Sequence, residues 1–188
     1  MVKATKDNRP FSSGVFDLEE FNIYTKVIDL PLDWIPTYLE EGINGVCTGG
    51  SALFNVFSNK RRVVKNDLIT IFPYQLASIT EISTDFAVIF FKVPKKLFMD
   101  TINGLGRLTL DYFFYMRKYY SSPLSEEEYK RFVHFCHILS YRVDLSCAFL
   151  RRESVMYLLR VYYWDLYVGY KSNPKAMASV KFVRKEKQ

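Results

Sequence analysis

Residues 42–73 read GINGVCTGGSALFNVFSNKRRVVKNDLITIFP, and this stretch contains three short apolar runs separated by turn residues. Apolar side chains alternate across 52–57, which is the period of two expected of a β-strand. The polar segment 58–61 predicts a hairpin turn, and 62–65 predicts a second strand. A third strand over 68–72 ends at a proline, which cannot donate to a strand ladder. Short strands at this spacing predict a small antiparallel β-barrel or sandwich.

The pattern changes at Pro94, where the β region ends. Strand-like segments on both sides of the opening stretch extend that region over residues 21–94. Beyond it, apolar residues recur every three or four positions, which predicts a bundle of about four helices over 95–170. Ser125 and Glu128 have the spacing of a capping box at the start of the third helix. We therefore expect an α+β fold, an antiparallel β-barrel followed by helices.

The two ends of the 188-residue chain differ from its middle. Residues 1–20 are polar and predict an arm, which Phe11 and Phe16 could anchor. Residues 171–188 carry six basic side chains and one acidic one, a net charge of +5 out of the +6 of the whole chain. We interpret this basic segment as a solvated linker, with direct nucleic-acid binding as the less favoured reading.

The composition narrows the class of protein. The three cysteines, Cys47, Cys136 and Cys147, are odd in number and have no CxxC spacing, which indicates reduced thiols in a cytoplasmic protein. The N-terminus has no apolar core of a signal peptide. No apolar run approaches the roughly 20 residues that span a bilayer, so no membrane partner is expected.

Candidates for catalysis and metal binding are scarce. His134 and His137 are the only histidines, and both lie on the helix predicted to start at Ser125. A metal-binding barrel needs histidines on its strands, so we expect no metal and no cofactor, and we interpret this pair as interface or surface residues. No nucleophile elbow or phosphate loop is present in the sequence, so no enzyme activity is expected.

The aromatic residues suggest a small-molecule site. Trp34, Tyr38 and Tyr74 could stack on a ligand such as a sugar, and ordinary barrel packing is the alternative for each of them. Small barrels bind ligands at their mouths, and Phe54 lies on a barrel strand. The predicted ligand-binding set also includes Phe11 and Phe16, which would close over that mouth from the arm.

The last predicted helix, 150–170, is apolar on more than one side. One stripe suits the core of its own subunit, and a second consists of Tyr157, Val161, Trp164 and Val168. A helix that is apolar on most sides has to be covered on most sides. We therefore expect a homodimer in which this second stripe, together with the two histidines, contacts the partner subunit.

The chain resembles the N-terminal regulatory domains of AraC-family transcription regulators, especially those of gut and oral Bacteroidetes. The resemblance covers about residues 20–170. It lies in the small-residue turn Gly49-Gly50, the VVKNDLITIFP run that ends at Pro73, and the Arg151-Arg152-Glu153 start of the last helix. It implies a cupin-like barrel at 21–94 that senses a small effector, and a dimerising helical region at 95–170. It also implies a separate pair of helix-turn-helix motifs that bind DNA beyond the 171–188 linker.

These observations predict the effector-sensing and dimerisation domain of a bacterial, cytoplasmic transcription regulator. Its partners would be a second copy of itself, a small effector, and DNA only through a further domain. A metal-independent cupin-type sugar isomerase or epimerase is the first alternative, with Tyr74 and Glu81 as acid–base candidates. A stand-alone small-molecule-binding cupin protein is the second.

Overall fold

The computed structural model describes residues 21–106 and 108–172. A β region comes first and four helices follow, which confirms the predicted α+β order. The strands are β1 (Ile23–Tyr24), β2 (Thr37–Tyr38), β3 (Glu41–Gly49), β4 (Ser51–Val56), β5 (Asn59–Val64), β6 (Asp67–Ile71), β7 (Leu76–Thr80), β8 (Ala87–Pro94) and β9 (Ser121–Pro123). The helices are α1 (Lys95–Asn103), α2 (Leu110–Lys118), α3 (Glu126–Val143) and α4 (Ala148–Ser172).

The strands form two antiparallel sheets. Sheet A has the order β1-β8-β3-β6-β9, and sheet B has the order β2-β7-β4-β5. The register of sheet A places Gly45 between Phe90 and Ile69. The strands β3 and β4 are consecutive in the chain but belong to different sheets, so the turn between them joins the two layers.

That turn depends on Gly50. Its φ of 62° lies in the left-handed region, which favours glycine. A Cβ at this position would lie 2.5 Å from the backbone nitrogen of Phe86 and 2.6 Å from the carbonyl carbon of Asp85. Both the backbone conformation and the available space therefore require glycine, in agreement with the Gly49-Gly50 turn predicted above.

Alternate residues of sheet A face two different cores, because successive side chains of a strand point to opposite faces. The core between the two sheets includes Ile43, Cys47, Phe54, Ile69, Ile71, Val88 and Phe90. The core between sheet A and the helices includes Val46, Leu68, Phe72, Phe91, Val93, Leu159 and Tyr163. Sheet A is therefore the middle layer of the molecule.

Within the described residues the two sheets are not joined into one closed ladder, so the predicted barrel is not confirmed. The edge strand β5 has the sequence NKRRVV, and a charged edge resists further pairing. Tyr120 bridges the layers instead. Its backbone oxygen accepts from Thr70 N of β6 at 2.8 Å, and its hydroxyl donates to Phe54 O of β4 at 2.8 Å. The β region is a sandwich.

The helices cover the outer face of sheet A. α3 begins at the predicted capping box, in which Ser125 Oγ accepts from Glu128 N and Ser125 N donates to the Glu128 carboxylate at 2.8 Å. α4 packs against both α1 and α3. An ion pair between Arg152 of α4 and Asp100 of α1, with a separation of 2.8 Å, adds to the contact between those two helices.

Candidate functional site

The structure separates the predicted ligand-binding residues into three groups. Phe54 is fully buried between the sheets, and its ring centroid lies 6.2 Å from that of Phe86. A ligand could reach Phe54 only if the sandwich opened. Phe11 and Phe16 lie outside the described residues. The remaining three, Trp34, Tyr38 and Tyr74, are exposed.

A groove of about 810 Å³ at one end of the sandwich brings two of these residues together. Tyr38 and Tyr74 both line it, because β2 pairs with β7 and Tyr74 lies just before β7. Glu41, Lys95 and other charged side chains complete its walls. Trp34 is 71% exposed and does not line the groove. Aromatic faces next to charges of both signs suit a polar ligand with a ring.

Tyr74 is held in an unusual backbone conformation. Its φ is 63°, which bulky residues rarely adopt and which often marks a functional position. Its backbone nitrogen donates to Leu39 O at 2.7 Å, and Lys95 Nζ lies 4.6 Å from the centre of its ring. The side chain is half exposed, so one face of the ring can receive a ligand.

The acid–base pair that the isomerase alternative requires is not assembled. Tyr74 precedes β7 and Glu81 follows it, and the five residues of β7 alone span roughly 17 Å at about 3.3 Å per strand residue. Glu81 forms an ion pair with Arg62 on the outer surface of sheet B. The structure therefore offers no observation in favour of catalysis by these two residues.

The outer face of α4 carries a continuous apolar stripe. Tyr157, Val161, Trp164 and Val168 follow one another at intervals of four, three and four residues, and each is at least 40% exposed. This is the a/d spacing of a coiled-coil seam. Among the described residues, no other element of the chain covers the stripe.

The inner face of α4 makes two polar contacts with sheet A. Asn44 Nδ2 donates to the Tyr163 hydroxyl at 3.2 Å, and the hydroxyls of Thr70 and Tyr162 are also 3.2 Å apart. Asn44 and Thr70 are direct neighbours across β3 and β6. Burial raises the pKa of both tyrosines, so both hydroxyls stay protonated near neutral pH. These contacts set the position of α4 on the sheet, and the apolar pattern of the helix does not reveal them.

The two histidines lie on the outward face of α3. His134 and His137 are exposed, as are Ile138 and Tyr141 on the same face. Among the described residues, no group of three or more potential ligands could hold a metal ion. In the same part of the chain, no helix combines the length and the apolarity needed to cross a membrane.

Comparison by sequence finds no relative, because no protein-family model and no curated protein matches the chain. Comparison by structure finds an apo ToxT variant from Vibrio cholerae, with a TM-score of 0.50 and 10% sequence identity, over 84% of this chain and 55% of that one. It also finds the AraC-like transcriptional activator CuxR, with a TM-score of 0.37 and 11% identity, over 74% of this chain and 46% of that one. The chain thus spans about half the length of these structures. The likeness to ToxT shows a shared fold.

Proposed function

We propose that this chain is the effector-sensing and dimerisation part of an AraC-type transcription regulator, cytoplasmic and of the Bacteroidetes type, without catalytic activity of its own. The fold shared with ToxT, an AraC-family regulator, supports this proposal. Residues 21–94 would bind the effector and 95–170 would form the dimer. The basic linker 171–188 would lead to the part that binds DNA.

The observation that carries the proposal is the exposed stripe on α4. Four large apolar side chains at heptad spacing are costly to leave in water, and a second copy of α4 offers a matching surface. The histidines of α3 would lie at the margin of this interface. A symmetric dimer repeats each contact, so one substitution in the stripe acts twice.

The proposed effector site is the groove lined by Tyr38 and Tyr74. Lys95 of the groove begins α1, and α1 contacts α4 through the Asp100–Arg152 ion pair. A ligand in the groove therefore acts on the helix that carries the dimer stripe. It can shift the protein between two dimer arrangements only if it binds them with different affinities.

Sedimentation velocity of the purified chain tests the dimer. We expect a dimer at micromolar concentrations, and Trp164→Glu should give monomers because it places two carboxylates in an apolar interface. Trp34→Glu is the matched control, since Trp34 is exposed and follows Asp33, whose carbonyl accepts from Ile79 N of sheet B, on the layer away from the helices. This variant should remain dimeric. A monomeric parent chain, or equal behaviour of the two variants, would contradict the proposed interface.

Thermal-shift measurements with a panel of neutral sugars test the groove. Ligands that bind the folded state raise the melting temperature, and Tyr38→Ala should abolish that rise without lowering the melting temperature of the free protein, because Tyr38 is exposed. Binding that survives Tyr38→Ala would place the effector elsewhere.

A further inference from the structure

A second cavity lies on the other side of sheet A, between the sheet and the helices. Its volume is about 440 Å³, within the range of small-molecule sites. β6 and β9 form its floor, and α2, α4 and the start of α3 form its walls. We call it the helical cleft. It is separate from the groove lined by Tyr38 and Tyr74, with which it shares no residue.

Gly169 is the first sign that the helical cleft is a built cavity. Gly169 lies exposed in the last turn of α4, and glycine within a helix lowers stability relative to alanine. Here a Cβ would meet no described heavy atom within 4 Å, so packing does not require the glycine. Gly104 is different, because a Cβ there would lie 2.5 Å from the Arg160 side chain. Gly169 lines the cleft, and its missing side chain keeps the cleft open.

The walls of the cleft are aromatic. Tyr115 lies 4.7 Å from Tyr119 and 4.8 Å from Tyr170, measured between ring centroids. The faces of such rings attract cations. Two of these rings already have ammonium groups of the chain nearby, with Lys118 Nζ 5.3 Å from the centre of Tyr119 and Lys171 Nζ 5.8 Å from that of Tyr170.

The charge of the lining is negative. Asp165 and Glu128 both line the cleft, and no described lysine, arginine or histidine does; Arg131 lines only the neighbouring groove between α3 and α4. Asp165 makes no ion pair or hydrogen bond with any described residue. Glu128 accepts from Ser125, which lowers the pKa of its carboxyl and keeps it ionised. Arg131 shares that neighbouring groove with both carboxylates and contributes to the lowered pKa of Glu128, so Asp165 is the carboxylate left without an ion-pair partner among the described residues.

We propose that the helical cleft binds an organic ammonium ion carried on an apolar body, such as an arylalkylamine. The ammonium group would pair with Asp165 at the rim, and the apolar body would pack against the tyrosine rings. Anions of the same shape would be rejected, because Asp165 and Glu128 would repel them. This site does not depend on the proposed regulatory function.

Three ligands that share a phenol ring and its first two chain carbons test the charge preference: tyramine, the neutral 4-ethylphenol, and the anion 3-(4-hydroxyphenyl)propionate. Each is titrated into the 188-residue chain, with binding followed by calorimetry and by NMR. We expect tyramine to bind most tightly and the anion not to bind. No binding of tyramine at about 10 mM, or equal binding of the anion, would overturn the proposal.

Two variants test the location. Asp165→Asn keeps the shape and should weaken tyramine binding about tenfold, the loss expected for one charge-assisted contact. Its melting temperature should match that of the parent chain, because Asp165 is exposed and unpaired. Gly169→Leu should abolish binding while keeping the fold, since the added side chain enters open space.

Glu127→Gln is the matched control. Glu127 is an exposed carboxylate next to Glu128 in the chain, but it does not line the cleft, so its removal should leave tyramine binding unchanged. Equal weakening by Glu127→Gln and Asp165→Asn would indicate attraction to the general negative surface and would overturn the assigned site.

Discussion

Two buried tyrosines allow a test of how hydrogen bonding sets stability in this fold. Tyr112 and Tyr120 are each 1% exposed. The Tyr120 hydroxyl donates to Phe54 O at 2.8 Å and to Asn59 O at 3.2 Å. The Tyr112 hydroxyl has no hydrogen-bond partner among the described residues. Replacing each tyrosine by phenylalanine removes one oxygen from equally buried positions, and the two changes should differ in sign.

The magnitudes follow from what each hydroxyl leaves behind. Tyr120→Phe removes the donor from the buried Phe54 O and the partly buried Asn59 O, and should cost about 1–2 kcal/mol. Tyr112→Phe removes a buried hydroxyl that makes no bond, and should leave the free energy of unfolding unchanged or raise it by up to about 1 kcal/mol. A change of about 1 kcal/mol shifts the melting temperature of a chain this size by about 2–4 °C.

Urea unfolding followed by circular dichroism measures both differences. The slope against urea concentration should stay constant, so that a change in midpoint reports stability. Equal losses in the two variants would refute the reasoning, since the effect would then follow burial of the hydroxyl and not its bonding. A loss for Tyr112→Phe alone would show that the Tyr112 hydroxyl has a partner.

Three further predictions concern pH, backbone and thiols. Burial raises the pKa of Tyr112 above its unfolded value of about 10, so the folded state keeps the phenol proton at a pH where the unfolded chain loses it. The free energy of unfolding is therefore unaffected by this group below about pH 10 and falls as the pH rises above it. In urea unfolding series between pH 8 and pH 11, Tyr112→Phe should lose less stability than the parent chain. Gly50→Ala should cost at least about 2 kcal/mol in urea unfolding, because it combines a positive φ with a clash against backbone, and a loss below about 0.5 kcal/mol would contradict this. After brief treatment of the native protein with a thiol reagent, mass spectrometry should find Cys147 labelled and Cys47 and Cys136 protected. The last two are buried, and burial raises the pKa of both thiols, to about 12 for Cys136. Rapid labelling of all three would show that the cores open readily.

The sequence predicts those helices and strands in which apolar residues recur with one clear period. The four helices, the capping box at Ser125 and the strands β4 and β6 follow from such patterns. The hairpin turn is shorter than expected, because Phe57 takes a φ of 53° that a bulky residue rarely adopts. The strand β3 is buried on both faces, so it shows no alternation and is not distinguished from its neighbours in the sequence.

The candidate sites also differ in whether a local sequence pattern predicts them. The stripe on α4 depends only on helical periodicity, so the sequence predicts which residues face outward. The contact between Asn44 and Tyr163 joins positions 119 residues apart, and no local pattern reports such a pair. The short strand β9 has the sequence Ser121-Ser122-Pro123, which is typical of turns, and only its pairing with β6 makes it a strand.

Sheet A has a practical consequence for any attempt to divide the molecule. One of its faces packs in the core between the sheets and the other in the core against the helices. Neither the β region nor the helical region therefore has a complete hydrophobic core without the other. A chain cut after Pro94 would expose a large hydrophobic patch that includes Val46, Leu68 and Phe91. We expect such a fragment to aggregate. The two halves should unfold together in a single thermal transition, because sheet A contributes side chains to both cores.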